Sequence, residues 1–370
     1  MDNVLDFFRE KKPWSKYKDL ILDYYLEPYL HKVKTLGKPI LIVDCFAGPG
    51  KFGDGLLGSP LIISERLRPL YERGANVLGL YIEKDAELYN QLEANTRDSR
   101  VPVETRSGDF RDQVDEIVDL ARHNTVFIYV DPIKPSDLFF DDLGSVYARL
   151  KGGSSVETLI NFMSAGFLRA VTGVQHLIAP DGVVQTDHEI VLRWNDVAGG
   201  EYWHEIAFTP SLSEGGRTDM LAQGYATELK RWFDFVIPFP IRAKYEQVPK
   251  YHMVFGSGHP DGIELMNTAM VKARRELVTS EFVVGRLFPD EPEREVIDPE
   301  EVKRIVIETS RQSGKTTWKM LRVYSTMNYP CMYNKTDFNR AIKGLIRDGR
   351  LASDCPGTKI QENALIWTLP

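Results

Sequence analysis

The segment Pro39-Ile-Leu-Ile-Val-Asp44-Cys-Phe46-Ala47-Gly48-Pro-Gly50-Lys-Phe-Gly53 constrains the fold of this chain more than any other, because an apolar run ends in a carboxylate and opens at once into a glycine turn. Such a run reads as the first strand of a doubly wound α/β domain, and ligands of open α/β sheets sit beyond the carboxyl ends of their strands. Glycine suits a turn where backbone takes positive φ or approaches a ligand closely. Asp44 would face the ligand crevice, with Phe46, Ala47, Gly48 and Gly50 forming its floor. The spacing departs from the dinucleotide pattern G-x-G-x-x-G, since the acidic residue precedes the first glycine by four positions. A carboxylate there repels a pyrophosphate but attracts the ammonium and sulfonium of S-adenosylmethionine. A tight turn that holds no ligand is the plainer alternative.

Three more apolar runs end the same way. Val77-Leu-Gly-Leu-Tyr-Ile-Glu83 predicts a second strand, followed by Lys84 and a helix from Asp85 to Ala94. Two vicinal ribose hydroxyls fit the two oxygens of Glu83, although Glu83 or Asp85 would serve equally as a helix cap. The stretch Val101 to Phe110 predicts a short strand ending in Gly108-Asp109, where Asp109 would accept from an adenine amino group and Phe110 would lie against the ring, or Asp109 is an ordinary turn residue. Thr125 to Val130 predicts a fourth strand, ending in Asp131-Pro132. Asp131 is then the candidate catalytic group, orienting or deprotonating a nucleophilic amine or hydroxyl, with helix capping as the alternative. Amino methyltransferases usually continue this motif with a second proline and an aromatic. The continuation here is Ile133-Lys134-Pro135, which lacks that aromatic clamp.

A fifth strand is expected from Glu157 to Met163, then an insertion over residues 164–225 rich in glycine and tryptophan. Insertions at this edge build acceptor pockets. Lys134, Asn161 and Arg169 are therefore candidates for acceptor binding. Arg193, Trp194 and Trp203 are also placed to bind a base or phosphate, or else to pack in the core. Strands near 235–242 and 251–256 would complete the sheet as an antiparallel pair, before helices between Glu264 and Leu277.

Taken together, Lys16-Tyr17 ahead of Tyr24-Tyr25, the run Asp44 to Gly50, Gly58-Ser59-Pro60, Ile82-Glu83-Lys84-Asp85, Gly108-Asp109, Asp131-Pro132, Glu157 to Met163 with Arg169, and Tyr251 to Ser257 resemble the three-Cys-motif partner proteins, TcmP, over roughly residues 10 to 275. The resemblance implies a Rossmann-like class I methyltransferase domain, S-adenosylmethionine as cofactor, and a partner protein with a cysteine cluster resembling radical enzymes that act on DNA lesions. Lys16 and Tyr17, on the entry helix, would close over the cofactor, unless Tyr17 only packs on the sheet. Family members usually follow Asp-Pro with an aromatic and a glycine. Ile133 and Lys134 depart from that pattern, which leaves the acceptor chemistry open between a nucleic acid, a small molecule or peptide, and no catalysis at all.

Charge divides the chain. Between Glu301 and Pro370, 12 lysines and arginines face 6 aspartates and glutamates, a net of +6, which leaves −13 for residues 1–300 of a chain whose total is −7. The expected organisation is a methyltransferase-like domain over 1–285, a proline- and acid-rich linker over 286–298, and a winged helix-turn-helix domain over 299–370. Its third helix, Lys335 to about Arg347, carries Lys335, Asn339, Arg340, Lys343 and Arg347 toward a nucleic acid, or else the module docks a protein. Ser313-Gly-Lys-Thr-Thr317 looks like the end of a phosphate-binding loop, but Thr309 stands where that loop needs its first glycine. The three cysteines and seven histidines form no metal spacing, so no metal is expected. A reducing cytoplasm suits three unpaired cysteines. No signal peptide or membrane-spanning run is found.

Overall fold

The computed structural model describes residues 4–242, 248–283, 297–355 and 361–369. Its larger unit, Met1–Gly258, is built on seven strands: β1 (Ile40–Asp44), β2 (Val77–Glu83), β3 (Val103–Ser107), β4 (Thr125–Val130), β5 (Ser155–Phe162), β6 (Phe235–Ile241) and β7 (Tyr251–Ser257). They lie in the order β3-β2-β1-β4-β5-β7-β6. β1 to β5 pair in parallel, while β7 runs antiparallel to both β5 and β6. This is the Rossmann-like, class I methyltransferase-type sheet expected from the sequence. The antiparallel pair is rearranged from its chain order, because β7 inserts between β5 and β6.

β1 and β4 are buried at every residue, as parallel strands covered on both faces should be. On one face Tyr25 and Tyr29 of the helix Pro13–Val33 pack their rings 5.4 and 5.6 Å from Phe127 of β4. On the other, the helices Val114–Ala121 and Phe140–Leu150 share a core with the insertion. Trp194 and Trp203 belong to that core, with Trp203 fully buried and edge-on to Phe167. Their packing role displaces the base-binding role that the sequence left open for them. Parallel pairing brings the carboxyl ends of β1 to β5 to one edge, and in the turn that β1 feeds into Gly48 and Gly50 take φ of 60° and 76°, which residues with a Cβ rarely adopt.

The second unit is His259–Pro370, so the division falls earlier than the expected linker over 286–298, of which only Ile297 and Asp298 are described. The physical reason is the helix Pro260–Val283, which joins the basic tail through polar contacts. Arg322 is fully buried and pairs its guanidinium with Glu264 of that helix and with Glu362 at 2.7 Å. Asn267 donates to the Tyr333 carbonyl at 2.7 Å and accepts from the Cys331 N–H at 2.9 Å. The tail itself comprises the helices Pro299–Ser313, Trp318–Asn328 and Lys335–Arg347 with β8 (Thr316–Thr317), β9 (Leu351–Ser353) and β10 (Leu365–Thr368) in the order β8-β10-β9. Gly314, at φ 66°, ends the first of these helices, and Gly314 and Lys315 link it to β8.

Asn334 caps the helix Lys335–Arg347 by accepting from the Thr336 and Asp337 N–H groups, while Asp337 accepts from the Asn334 N–H. Asn334→Ala should therefore lower the stability of this unit by about 1 kcal/mol, read by thermal melting. An unchanged melt would show that the reciprocal cap contributes nothing.

Candidate cofactor and acceptor site

At the carboxyl edge of β1, β4 and β5 a cavity of about 170 Å³ opens, lined among others by Phe46, Ala47, Pro49, Gly50, Ser59, Asp131, Asn161 and Tyr251. Asp44 ends β1 and is fully buried. One of its oxygens accepts from the Phe46 N–H at 3.2 Å; the other, Oδ2, has no hydrogen-bond partner among the described residues. Burial pushes its pKa up to about 7, the charges of Asp131 and Glu83 add to the rise, and the Ser59 hydroxyl and Phe46 N–H oppose it. A buried carboxylate with an unsatisfied oxygen is costly in isolation, and a cationic or hydrogen-bond-donating group beside it removes that cost.

Glu83 ends β2 and braces the glycine turn. Its Oε2 accepts from the Gly48 N–H and its Oε1 from the Asp85 N–H, each at 2.8 Å. Burial raises its pKa. Both oxygens keep a further lone pair, so bracing the turn and accepting a diol are compatible. Lys84 turns to Asp137 at 2.9 Å. Asp109 caps a short 3-10 turn, accepting from the Arg111 N–H at 3.1 Å and from the Arg111 guanidinium at 3.0 Å; despite partial burial, those contacts lower its pKa. Phe110 is buried in the main core, which corrects the expectation that its ring lies open to adenine.

Asp131, at the end of β4, is the most heavily engaged carboxylate. Lys18 Nζ donates to both of its oxygens, at 2.6 and 2.5 Å, Asn161 Nδ2 to Oδ1 at 2.7 Å, and the Tyr129 hydroxyl to Oδ2 at 3.2 Å. Lys18 also lies 5.2 Å from the Tyr251 ring centroid. Asn161 Oδ1, Tyr251 Oη and Ser15 Oγ are buried with no hydrogen-bond partner among the described residues, and their side chains line the same cavity. Hydrogen-bonding groups buried without partners are uncommon. Three of them on the wall of one cavity mark a place built for a polar ligand.

Lys18, Trp14, Ser15 and Asp19, all on the helix Pro13–Val33, line the cavity, and sequence reasoning passed over them. Lys16 and Tyr17 were expected there instead. Lys16 is exposed and Tyr17 is buried in the core. Helical spacing held the signal: Tyr17, Ile21 and Tyr25 recur every four residues toward the sheet, which swings Lys18, 100° further round, to the strand ends.

Of the acceptor candidates, Asn161 lines the cavity, while Lys134 is exposed on the following turn and Ile133 takes its place on the wall. Arg169 is exposed on the helix Ser164–Gly173. It lies close enough to Lys250 to depress that lysine's pKa, after burial and together with Lys18. Lys250 rests over the Trp14 ring at 2.9 Å from its centroid. Two cations thus stand at the cavity's rim, with Arg193 exposed elsewhere on the insertion.

In the second unit, Arg340, Lys343 and Arg347 are exposed on one helix. Lys335 and Asn339 are already engaged. Lys335 Nζ pairs with Glu264 and Glu362 at 3.4 Å each, and Asn339 Oδ1 accepts from Trp318 Nε1 and the Arg322 guanidinium at 2.9 Å each. Among the described residues no cluster of histidine, cysteine or carboxylates could hold a metal ion, and no helix is long and apolar enough to cross a membrane.

No family model matches the chain, and no curated protein matches it. Similar solved structures include a Legionella pneumophila protein of a domain-of-unknown-function family, with a TM-score of 0.44 and 10% identity over 74% of this chain and 94% of that one. Loganic acid methyltransferase with SAH gives a TM-score of 0.32 and 8% identity, covering 100% and 97% of the two chains. An S-adenosylmethionine-dependent methyltransferase from Clostridium acetobutylicum gives 0.24 and 14%, covering 46% and 57%. At scores of this size the likenesses add nothing to what the strand order already states.

Proposed function

We propose that this protein is an S-adenosylmethionine-dependent methyltransferase whose acceptor is a nucleic acid or a nucleotide-like molecule. The observation that carries the cofactor reading is the unpaired, fully buried Asp44 Oδ2 at the end of β1. A buried carboxylate oxygen without a partner suits a primary ammonium, which brings three donors. The Ser15 hydroxyl, unpaired among the described residues, supplies a donor of the kind a carboxylate needs, and Glu83 keeps lone pairs for a ribose. Bound there, S-adenosylmethionine would supply an electrophilic methyl group. The chain's own part is to exclude water with Phe46, Met163 and Tyr251 and to hold Lys18 on Asp131, leaving one ammonium N–H to orient an acceptor oxygen or nitrogen. Calorimetric titration with S-adenosylmethionine and S-adenosylhomocysteine tests the reading: micromolar binding supports it, and no binding to protein stripped of copurified cofactor refutes it.

The nucleic-acid half of the proposal is supported by Lys250 and Arg169 at the rim and by exposed Arg340, Lys343 and Arg347 on what we read as a winged helix. Reversing the last three to glutamate should reduce binding of single- or double-stranded oligonucleotides and flatten its logarithmic salt slope by about 2 to 3; an unchanged slope favours protein docking by this module. Membership of the TcmP family, residence in the cytoplasm and a cysteine-cluster partner belong to the same proposal, the last testable by copurification.

A second reading, a non-catalytic S-adenosylmethionine-binding adaptor, is favoured by one observation. Lys18, Asn161 and Tyr129 already occupy the Asp131 carboxylate that a catalytic role would leave open to an acceptor.

A further inference from the structure

We propose that residues 4–12 form a strap that must lift from the glycine turn for the cofactor to enter and that reseats over it once bound. The inference rests on the cofactor reading above. Phe7 and Phe8 are part of the cavity wall. The Phe8 ring sits directly on the turn: a Cβ placed on Gly48 would lie 2.9 Å from it. It also packs against Phe52, with ring centroids 5.4 Å apart.

Backbone contacts lace the strap to the loop that follows the turn. The Gly53 N–H donates to the Phe8 carbonyl at 2.9 Å, and the Lys11 N–H donates to Asp54 Oδ2 at 3.0 Å. The buried Lys11 ammonium reaches the Leu57 carbonyl on that loop and the Asp19 carboxylate on the helix Pro13–Val33, and lies 5.0 Å from the Phe52 ring centroid. Gly53 lets the two backbones touch, since a Cβ there would meet the Arg9 carbonyl at 2.7 Å.

Seated in this way, the strap leaves a cavity of about 170 Å³. Pockets for small molecules and cofactors usually run to about 300–1,000 Å³. Asn161, whose Oδ1 is unpaired among the described residues, lines that cavity, and Asp44, with its unpaired Oδ2, ends β1 at the same edge of the sheet. Among the lining residues, Phe7 and Phe8 belong to the segment ahead of the helix Pro13–Val33 and to no strand of the sheet. Among the described residues the strap is held by two hydrogen bonds from backbone N–H groups, the Lys11 ammonium and two aromatic rings, with no pairing to the sheet, and a segment held so opens locally at lower cost than the sheet.

Two variants separate strap from turn. Phe8→Ala removes the ring on Gly48. Gly53→Ala leaves every strap and cavity side chain unchanged but forces the Arg9 backbone away. Without ligand, exchange of the Gly53 amide hydrogen should quicken in Phe8→Ala by about tenfold or more. In stopped-flow mixing, the observed binding rate for S-adenosylmethionine in the unaltered protein should level off at a ceiling set by strap opening. Both variants should raise that ceiling and the dissociation rate by about tenfold, with a smaller change in Kd. A rate that climbs linearly with ligand, the same in all three proteins, overturns the strap while leaving the cofactor reading intact. Absence of binding in every protein overturns the cofactor reading, and the gate with it.

Discussion

Asp44→Asn should weaken S-adenosylmethionine binding by about 100-fold while making the sheet unit more stable, two effects of opposite sign from one atom. Removing one partner of a buried charge pair costs about 2–5 kcal/mol, and about 2.7 kcal/mol corresponds to 100-fold in affinity. The stability gain follows from the burial of Asp44. Its pKa stands at about 7 instead of 3.8, so the folded chain binds this proton more tightly than the unfolded chain does. The penalty for holding it ionised is absent below pH 3.8, grows from there to about 7, and is fully present above that. At 1.36 kcal/mol per pH unit it is worth at most about 4 kcal/mol, and relaxation around the site leaves about 2.

Melting at pH 8 should therefore rise by several degrees in Asp44→Asn, and the gain should vanish near pH 4. Cofactor affinity should show the reverse pattern. In the unaltered protein the ammonium must meet an ionised Asp44, so affinity should fall by up to tenfold for each pH unit below about 7. In Asp44→Asn this dependence should disappear. Calorimetry from pH 5.5 to 8.5 with parallel melts decides it: a variant that binds as tightly as the parent would remove Asp44 from the cofactor site.

Asp44, Glu83 and Asp131 were legible in the sequence because a parallel strand buried on both faces is an unbroken apolar run, and a carboxylate ending such a run stands out. The glycine turn was legible for the same reason, since Gly48 and Gly50 have no side chain to pack and positive φ to adopt. What each carboxylate touches was not legible. Lys18 and Asp131 are 113 residues apart, and Asn161 stands a further 30 along, so only the folded sheet brings them together. Phe110 looked like a ring for adenine, but its position after a turn says nothing of which way it points, and the core took it. Similarly, Lys335 and Asn339 share a helix face with Arg340 and Lys343 in sequence, yet the helix Pro260–Val283 reaches that face from outside the tail and engages Lys335 through Glu264. The short N-terminal stretch with Phe8 and Lys11 carries no periodic signal, and its contacts with Gly53, Asp54 and Leu57 are set by tertiary packing alone.

The Lys18 and Asp131 pair yields the test that divides enzyme from adaptor. Lys18 is nearly buried and Asp131 mostly so. Either single change, Lys18→Met or Asp131→Leu, strands a charge against low-dielectric surroundings and should destabilise the sheet unit by about 3 kcal/mol, near the lower end for broken buried pairs. The double variant replaces the pair by apolar side chains of similar size, so most of that loss should return. Cofactor affinity in the double variant should stay within about threefold of the parent, because neither residue is assigned to the ammonium or the ribose. Turnover should not return. If Lys18 orients the acceptor, transfer of labelled methyl to a nucleic-acid acceptor should fall by about 100-fold or more in all three variants, including the one whose stability recovers. A double variant that regains both stability and transfer would show that the pair only supports the fold. One that binds cofactor normally, and whose parent transfers no methyl group to any acceptor, would point to the adaptor, with the Asp131 carboxylate closed by Lys18, Asn161 and Tyr129 as a structural anchor.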